Sequence, residues 1–75
     1  MTEVGKRVWE SLTPRQKELV IVFVDKAATN RALAEHFHTT EQVIKNRFRE
    51  VFNKTGMSNR MELMKFVIAH GLNAD

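Results

Sequence analysis

The sequence lacks cysteine altogether and has one proline and three glycines in its 75 residues. Without cysteine, the chain has neither a disulfide framework nor a thiolate metal site. It also lacks an apolar run of membrane-spanning length, and no signal or transit peptide is visible at its N-terminus. These absences predict a reducing, cytoplasmic setting and no membrane partner.

A chain of this length forms one small domain, which buries only about 60% of the surface that its unfolded state exposes. No disulfide or thiolate metal site supports so small a core, so its stability has to come from helix packing or from a second subunit. We therefore expect oligomerisation.

Positive charge is concentrated in one part of the chain. There are 12 Lys and Arg residues against 9 Asp and Glu residues, which gives a net charge of +3. Between residues 45 and 60 the only acid is Glu50, and the cations are Lys45, Arg47, Arg49, Lys54 and Arg60. A local basic surface of this kind is typical of proteins that bind polyanions.

The segment LTPRQ predicts the start of a helix. Thr13 can cap it, Pro14 suits its first position, and Gln16 stands where a capping box needs an amide. The apolar cluster at 19–24 is dense enough to be core. Propensity alone would let this helix continue to Phe37, because neither glycine nor proline interrupts it.

Two further helices follow from capping residues. Thr29 and Asn30 cap better than they propagate, so they favour a break and a second helix at about 30–37. The segment HTTEQ then predicts a third helix at about 41–55, which Gly56 ends as a left-handed residue.

The segment SNRMEL opens a fourth helix, capped by Asn59 with Glu62 closing the box, and this helix ends at Gly71. Residues 1–12 are predicted to be a frayed amphipathic lead-in that Gly5 weakens. No stretch shows the alternation of a strand. The prediction is therefore an all-α fold with four short helices in a domain at 12–72 and an N-terminal extension at 1–11.

The predicted helix at 41–55 has two unlike faces. At 100° per residue, its core stripe consists of Ile44, Phe48, Val51, Phe52 and Thr55. The opposite face carries amides and cations, namely Gln42, Lys45, Asn46, Arg49 and Asn53. Amides and guanidinium groups can hydrogen-bond to base edges in a major groove, and the cations also reach phosphates. The alternative is an ordinary solvated helix face.

A short capped helix, a three-residue turn and a longer basic helix make up the helix-turn-helix arrangement. The segments LTPRQKEL, TNRALAEHF, TTEQVIKNRFREVF and KTGMSNRMEL, in this order, resemble the LuxR-type (also FixJ- or GerE-type) DNA-binding domain of bacterial transcription regulators. The resemblance covers about residues 12–72. It implies four helices, of which the third enters the major groove and the fourth forms a homodimer on a two-fold-symmetric site.

The resemblance also implies roles for single residues. Lys45, Asn46 and Arg49 would face base edges, in agreement with the helical wheel, and Gln42 lies beside them. Phosphate contacts are implied for Asn30, Arg31, Thr40, Arg47 and Lys54. Arg47 lies beside the core stripe, so it can alternatively run along the surface to an acid.

The sequence departs from the family pattern at three places. The connection between the first two helices is one residue longer, and the usual glycine is replaced in the Lys26-Ala27 region. Val43 replaces a common threonine and removes a hydroxyl that could bond a phosphate. Arg47 stands where histidine is common and adds a charge.

The apolar side chains of the fourth helix spread over more than the roughly 100° that one packing surface needs. We expect Leu63, Phe66 and Val67 to point inward. The exposed strip for a homodimer is then Met61, Met64 and Ile68. The alternative is a last helix buried on all sides. A dimer of this kind predicts an inverted-repeat DNA site with half-sites one helical turn apart.

Enzymatic chemistry is not expected, because the sequence shows no catalytic pair and no phosphate-binding loop. His36 and His38 do not share a helix face and have no third ligand, so neither a metal nor a cofactor is expected.

Two alternatives remain open. One is a protein-interaction module that keeps the fold and modulates another regulator. The other is a domain like sigma-factor region four, which acts with RNA polymerase and which SNRMEL fits poorly. As a transcription regulator, the chain would also have RNA polymerase as a candidate partner. The initial methionine and the length favour a chain that stands alone over a piece of a longer regulator.

Overall fold

Five α-helices and no strand make up residues 3–71, which the computed structural model describes. They are α1 Glu3–Glu10, α2 Pro14–Lys26, α3 Asn30–His36, α4 Glu41–Thr55 and α5 Arg60–Ala69. The all-α prediction is confirmed for this part of the chain. The first two residues of the predicted extension, and residue 72 at the end of the predicted domain, lie outside it.

The start of α2 follows from side chains that replace missing backbone partners. The Gln16 amide N–H donates to Thr13 Oγ1 at 3.2 Å, and the Thr13 amide N–H donates to Gln16 Oε1 at 2.9 Å. Pro14 occupies the first turn, where a missing N–H costs nothing. The predicted capping box is confirmed.

The α2–α3 connection contains the backbone conformation that glycine usually adopts. Ala27 has φ 46° and ψ 43°, in the left-handed region. Thr29 then caps α3 by accepting the Ala32 amide N–H at 3.2 Å. The predicted break is confirmed, and α3 ends at His36, one residue before the expected Phe37.

The connection between α3 and α4 comprises residues 37–40, one residue more than the predicted turn. His38, within this connection, has a positive φ of 55°. Thr40 caps α4 by accepting the Val43 amide N–H at 3.2 Å, and Gly56 ends α4 with φ 74°. Both predicted ends of this helix are confirmed.

The core lies between α2, α3, α4 and α5, with Leu12 from the loop before α2. Phe23 and Phe48 meet edge to face, with their ring centroids 5.2 Å apart. Replacing Phe48, which is 2% exposed, with alanine would cost about 3–5 kcal/mol. The buried apolar residues are Leu12, Leu19, Val20, Phe23, Leu33, Ala34, Ile44, Phe48, Val51, Leu63 and Val67.

The N-terminal extension is helical over residues 3–10, where the sequence predicted a frayed amphipathic lead-in. Gly5 is buried against His70: a Cβ on Gly5 would lie 2.7 Å from the His70 Cβ. The glycine that weakens an isolated helix thus lets α1 approach α5 closely. Trp9 packs against the core, and the Lys17 ammonium lies 6.0 Å from its ring centroid.

The start of α5 differs from the predicted capping box in one bond. Asn59 Oδ1 accepts the Glu62 amide N–H at 2.9 Å, as expected. The Glu62 carboxylate, however, accepts the amide N–H of Ser58 and not that of Asn59. The helix ends at Ala69, with His70 as its cap and Gly71 at φ 67°.

Candidate nucleic-acid interface

The outer face of α4 is exposed, and none of its five residues is an acid. Gln42, Lys45, Asn46, Arg49 and Asn53 are all exposed. The opposite stripe is core, because Ile44, Phe48 and Val51 are 0–2% exposed. The buried stripe therefore anchors α4 in the core, and two cations and three amides lie on its exposed face.

Contacts within this face leave its cations available. Gln42 Nε2 donates to Asn46 Oδ1 at 3.1 Å, so one amide pair is already linked along the helix. Within residues 3–71, no carboxylate forms an ion pair with Lys45 or Arg49. Both can meet an external anion without first breaking an internal pair.

A side-chain hydrogen bond joins α2 to α4. Gln16, which is 6% exposed, donates through Nε2 to Glu50 Oε2 at 3.3 Å. This bond ties the first turn of α2 to the middle of α4. It also holds the carboxylate of Glu50 at the flank of the basic face.

An open cleft of about 290 Å³ lies between α2 and α4. Arg15 and Arg47 both line it, and Asn46 belongs both to the cleft and to the outer face of α4. Arg47 is half-buried and forms no ion pair among the described residues, so the alternative in which it runs to an acid is not seen. Sequence reasoning did not single out Arg15.

The five predicted phosphate contacts do not lie together. Thr40 begins α4 and Lys54 stands near its end, about 20 Å along the axis. The Lys54 ammonium donates to the Ser11 carbonyl at 3.2 Å, which ties α4 to the α1–α2 connection. Arg31 is exposed and lies 3.6 Å from Glu35. Asn30 accepts a hydrogen bond from Arg60.

The sequence did not predict how Arg60, the first residue of α5, packs. Its guanidinium lies 4.0 Å from the Phe48 ring centroid and 5.9 Å from that of Phe23. Burial lowers the pKa of Arg60 from its ordinary value, because it removes water from the cation. No local pattern indicates contacts between residues 12 to 37 positions apart.

The outer side of α5 carries apolar side chains that nothing in the described chain covers. Met61 is 61% exposed and Ile68 is 58% exposed. Met64, the third residue of the predicted strip, is half-buried and packs against the core. Leu63 and Val67 are buried as predicted, and Phe66 is half-buried.

His36 and His38 lie on α3 and in the following turn and do not form a metal cluster. Among residues 3–71, no group of three or more potential ligands from His, Cys, Asp and Glu could hold an ion. In the same part of the chain, no helix has the length and apolar character to cross a membrane.

Comparison with known proteins finds similarity to a curated bacterial protein. No family model matches the chain, and no solved structure matches it. The chain is 32% identical over 60 residues to a protein named Response regulator Rre1 from Synechocystis sp.. The match covers 80% of this chain and 26% of that protein, so the chain spans about a quarter of the length of its relative.

Proposed function

We propose that the chain binds double-stranded DNA sequence-specifically and regulates transcription in a bacterial cytoplasm. The observation that carries this proposal is the outer face of α4, where amides and cations that form no ion pair among residues 3–71 stand outward from a helix that is anchored in the core. On this proposal α2–α5 form the four helices of a LuxR-type domain, and α3 and α4 are its helix-turn-helix. Similarity to a response regulator supports a role in bacterial signalling.

In the proposed complex, α4 lies in the major groove. Arg49 and Lys45 would donate to guanine O6 and N7, and Gln42 and Asn46 would pair with adenine. Asn46 Oδ1 already accepts a bond from Gln42, so this acceptor has to exchange partners, whereas the Asn46 side-chain N–H groups donate to no group among residues 3–71. Each good pair would contribute about 1–3 kcal/mol of discrimination between bases.

Contacts to the sugar-phosphate backbone would set the register of α4. The Thr40 hydroxyl accepts the Val43 amide N–H and keeps its own hydrogen for a phosphate oxygen. Arg31 and Arg47 would supply charge on either side of the groove, and Asn30 a side-chain amide. Lys54 would reach the backbone only by giving up its bond to Ser11.

The exposed strip on α5 suits a homodimer. Met61 and Ile68, with the half-buried Met64 between them, form an apolar surface that a second copy can cover through a two-fold axis. The two α4 helices would then meet the same side of the duplex on an inverted-repeat site. RNA polymerase is a candidate partner of the bound dimer.

Replacing Lys45 and Arg49 with alanine tests the proposal. Loss of two base contacts at about 1–3 kcal/mol each would weaken binding to the preferred duplex by at least about thirtyfold. Fluorescence anisotropy at physiological salt measures this loss. Because both side chains are exposed, the circular dichroism spectrum and the melting temperature should stay near those of the unchanged chain.

The matched control is Lys6→Ala, which removes an exposed cation from α1 and should change affinity little. Equal losses in the control and in the double variant would indicate nonspecific charge attraction. The proposal would then be wrong in its central point.

The second candidate function is a protein-interaction module that modulates another regulator. The exposure of Met61 and Ile68 favours it, because apolar side chains on a small chain suit a foreign helix as well as a second copy. This candidate predicts that the Lys45 and Arg49 variant keeps full activity in partner binding and that the unchanged chain has no preferred duplex.

A further inference from the structure

Arg60 stands where a helix least favours a cation. It is the first residue of α5, at the positive end of the helix dipole, and its guanidinium is partly withdrawn from water. The ring of Phe48, 4.0 Å from the guanidinium carbon, offsets part of this cost through its negative face. A neutral side chain would occupy this site without the cost of desolvating a cation. Another interaction therefore has to favour arginine at this position.

A hydrogen bond to a polar side chain is that interaction. Arg60 Nη2 donates to Asn30 Oδ1, 30 residues away along the chain, at the start of α3. A guanidinium has donors only, so the Asn30 atom that faces it has to be the oxygen. The Asn30 amide is thereby held in one of its two flip states.

The same bond determines where the other half of the Asn30 amide points. With the oxygen on Arg60, the side-chain NH2 group is directed away from the guanidinium, and no acceptor within residues 3–71 takes its hydrogens. Asn30 as a whole is only half-buried, so part of the residue is open to solvent. A flipped amide would instead present its oxygen to an approaching anion and repel it.

We infer that Arg60 is a positioning residue, which holds the Asn30 amide so that its NH2 group donates to a DNA phosphate. The inference rests on the proposed function and adds a residue to it. Arg60 itself stays against Phe48 and Phe23 and does not touch the nucleic acid. Its effect on affinity therefore passes through Asn30.

A double-mutant cycle on duplex affinity tests this inference. Arg60→Met keeps an unbranched side chain on the two rings and removes the donor, and Asn30→Ala removes the amide. Each single change should weaken binding about fivefold, the value of one hydrogen bond. The double variant should also bind about fivefold more weakly than the unchanged chain, because Arg60 has no amide left to orient.

Two further variants complete the cycle. Arg60→Lys keeps a cationic donor for Asn30 but loses the planar contact of the guanidinium with Phe48, so it should recover part of the binding that Arg60→Met loses. Lys6→Met removes a cation elsewhere and gives the cost of charge alone. All affinities are measured well below the melting temperature of each variant, so that loss of stability does not appear as loss of binding.

Three results would overturn the inference. Losses that multiply to about twenty-five-fold in the double variant would mean that Arg60 acts independently of Asn30. A lower melting temperature for Arg60→Met with unchanged affinity would make Arg60 purely structural. Failure of the unchanged chain to bind any duplex would contradict the proposed function itself, and this inference with it.

Discussion

Among single residues, Ala27 adopts a left-handed backbone conformation that glycine would adopt more easily. A left-handed alanine costs about 1–2 kcal/mol, because its Cβ crowds the following carbonyl. Ala27→Gly removes this crowding, but glycine gains entropy in the unfolded chain. We expect a net rise of about 1 kcal/mol in the free energy of unfolding, or about 4–8 °C in melting temperature.

Urea denaturation of the two chains measures this difference. Ala32→Gly is the matched control, because Ala32 is exposed and helical in α3 and should lose about 1 kcal/mol by the same exchange. If both exchanges destabilise the chain equally, the residue at position 27 in the α2–α3 connection is not left-handed.

At the scale of elements, α5 has one side that packs in the core and one side that is exposed. Leu63 and Val67 hold it in the core, and Met61 and Ile68 lie outside. Ile68→Glu should therefore leave the fold intact while it places two like charges across the proposed two-fold axis. We expect this variant to sediment as a monomer at concentrations where the unchanged chain is a dimer.

Ala69→Glu adds the same charge one position further along α5 and about 100° around it, so it should leave the dimer in place. Analytical ultracentrifugation distinguishes these states. A dimer that persists in the Ile68 variant would exclude this strip as the interface, and an unchanged chain that is monomeric at all concentrations would exclude the homodimer.

The elements also show what the sequence can predict. The starts of α2, α3, α4 and α5 were predictable because Thr13, Thr29, Thr40 and Asn59 each cap through a neighbour three residues away. The amphipathic pattern of α1 was predictable, but its packing was not. This packing depends on the fit of Gly5 against His70 at the other end of the chain, which no local pattern encodes.

At the scale of the whole molecule, helical periodicity was enough to predict which face of α4 is exposed. The supports of that face were not predictable, because the Gln16–Glu50 bond and the Arg60 contacts join distant positions. Together these contacts make α2, α3 and α5 a frame that holds α4 outward. We propose that this frame presents α4 to a specific DNA sequence.

Selection from a random duplex library at physiological salt tests that claim most directly. The purified chain is incubated with the library, and the retained duplexes are sequenced. We predict enrichment of an inverted repeat whose half-sites lie about ten base pairs apart, because the paired α4 helices would meet successive turns of one groove. Retention without sequence preference, or no retention at all, would contradict the account.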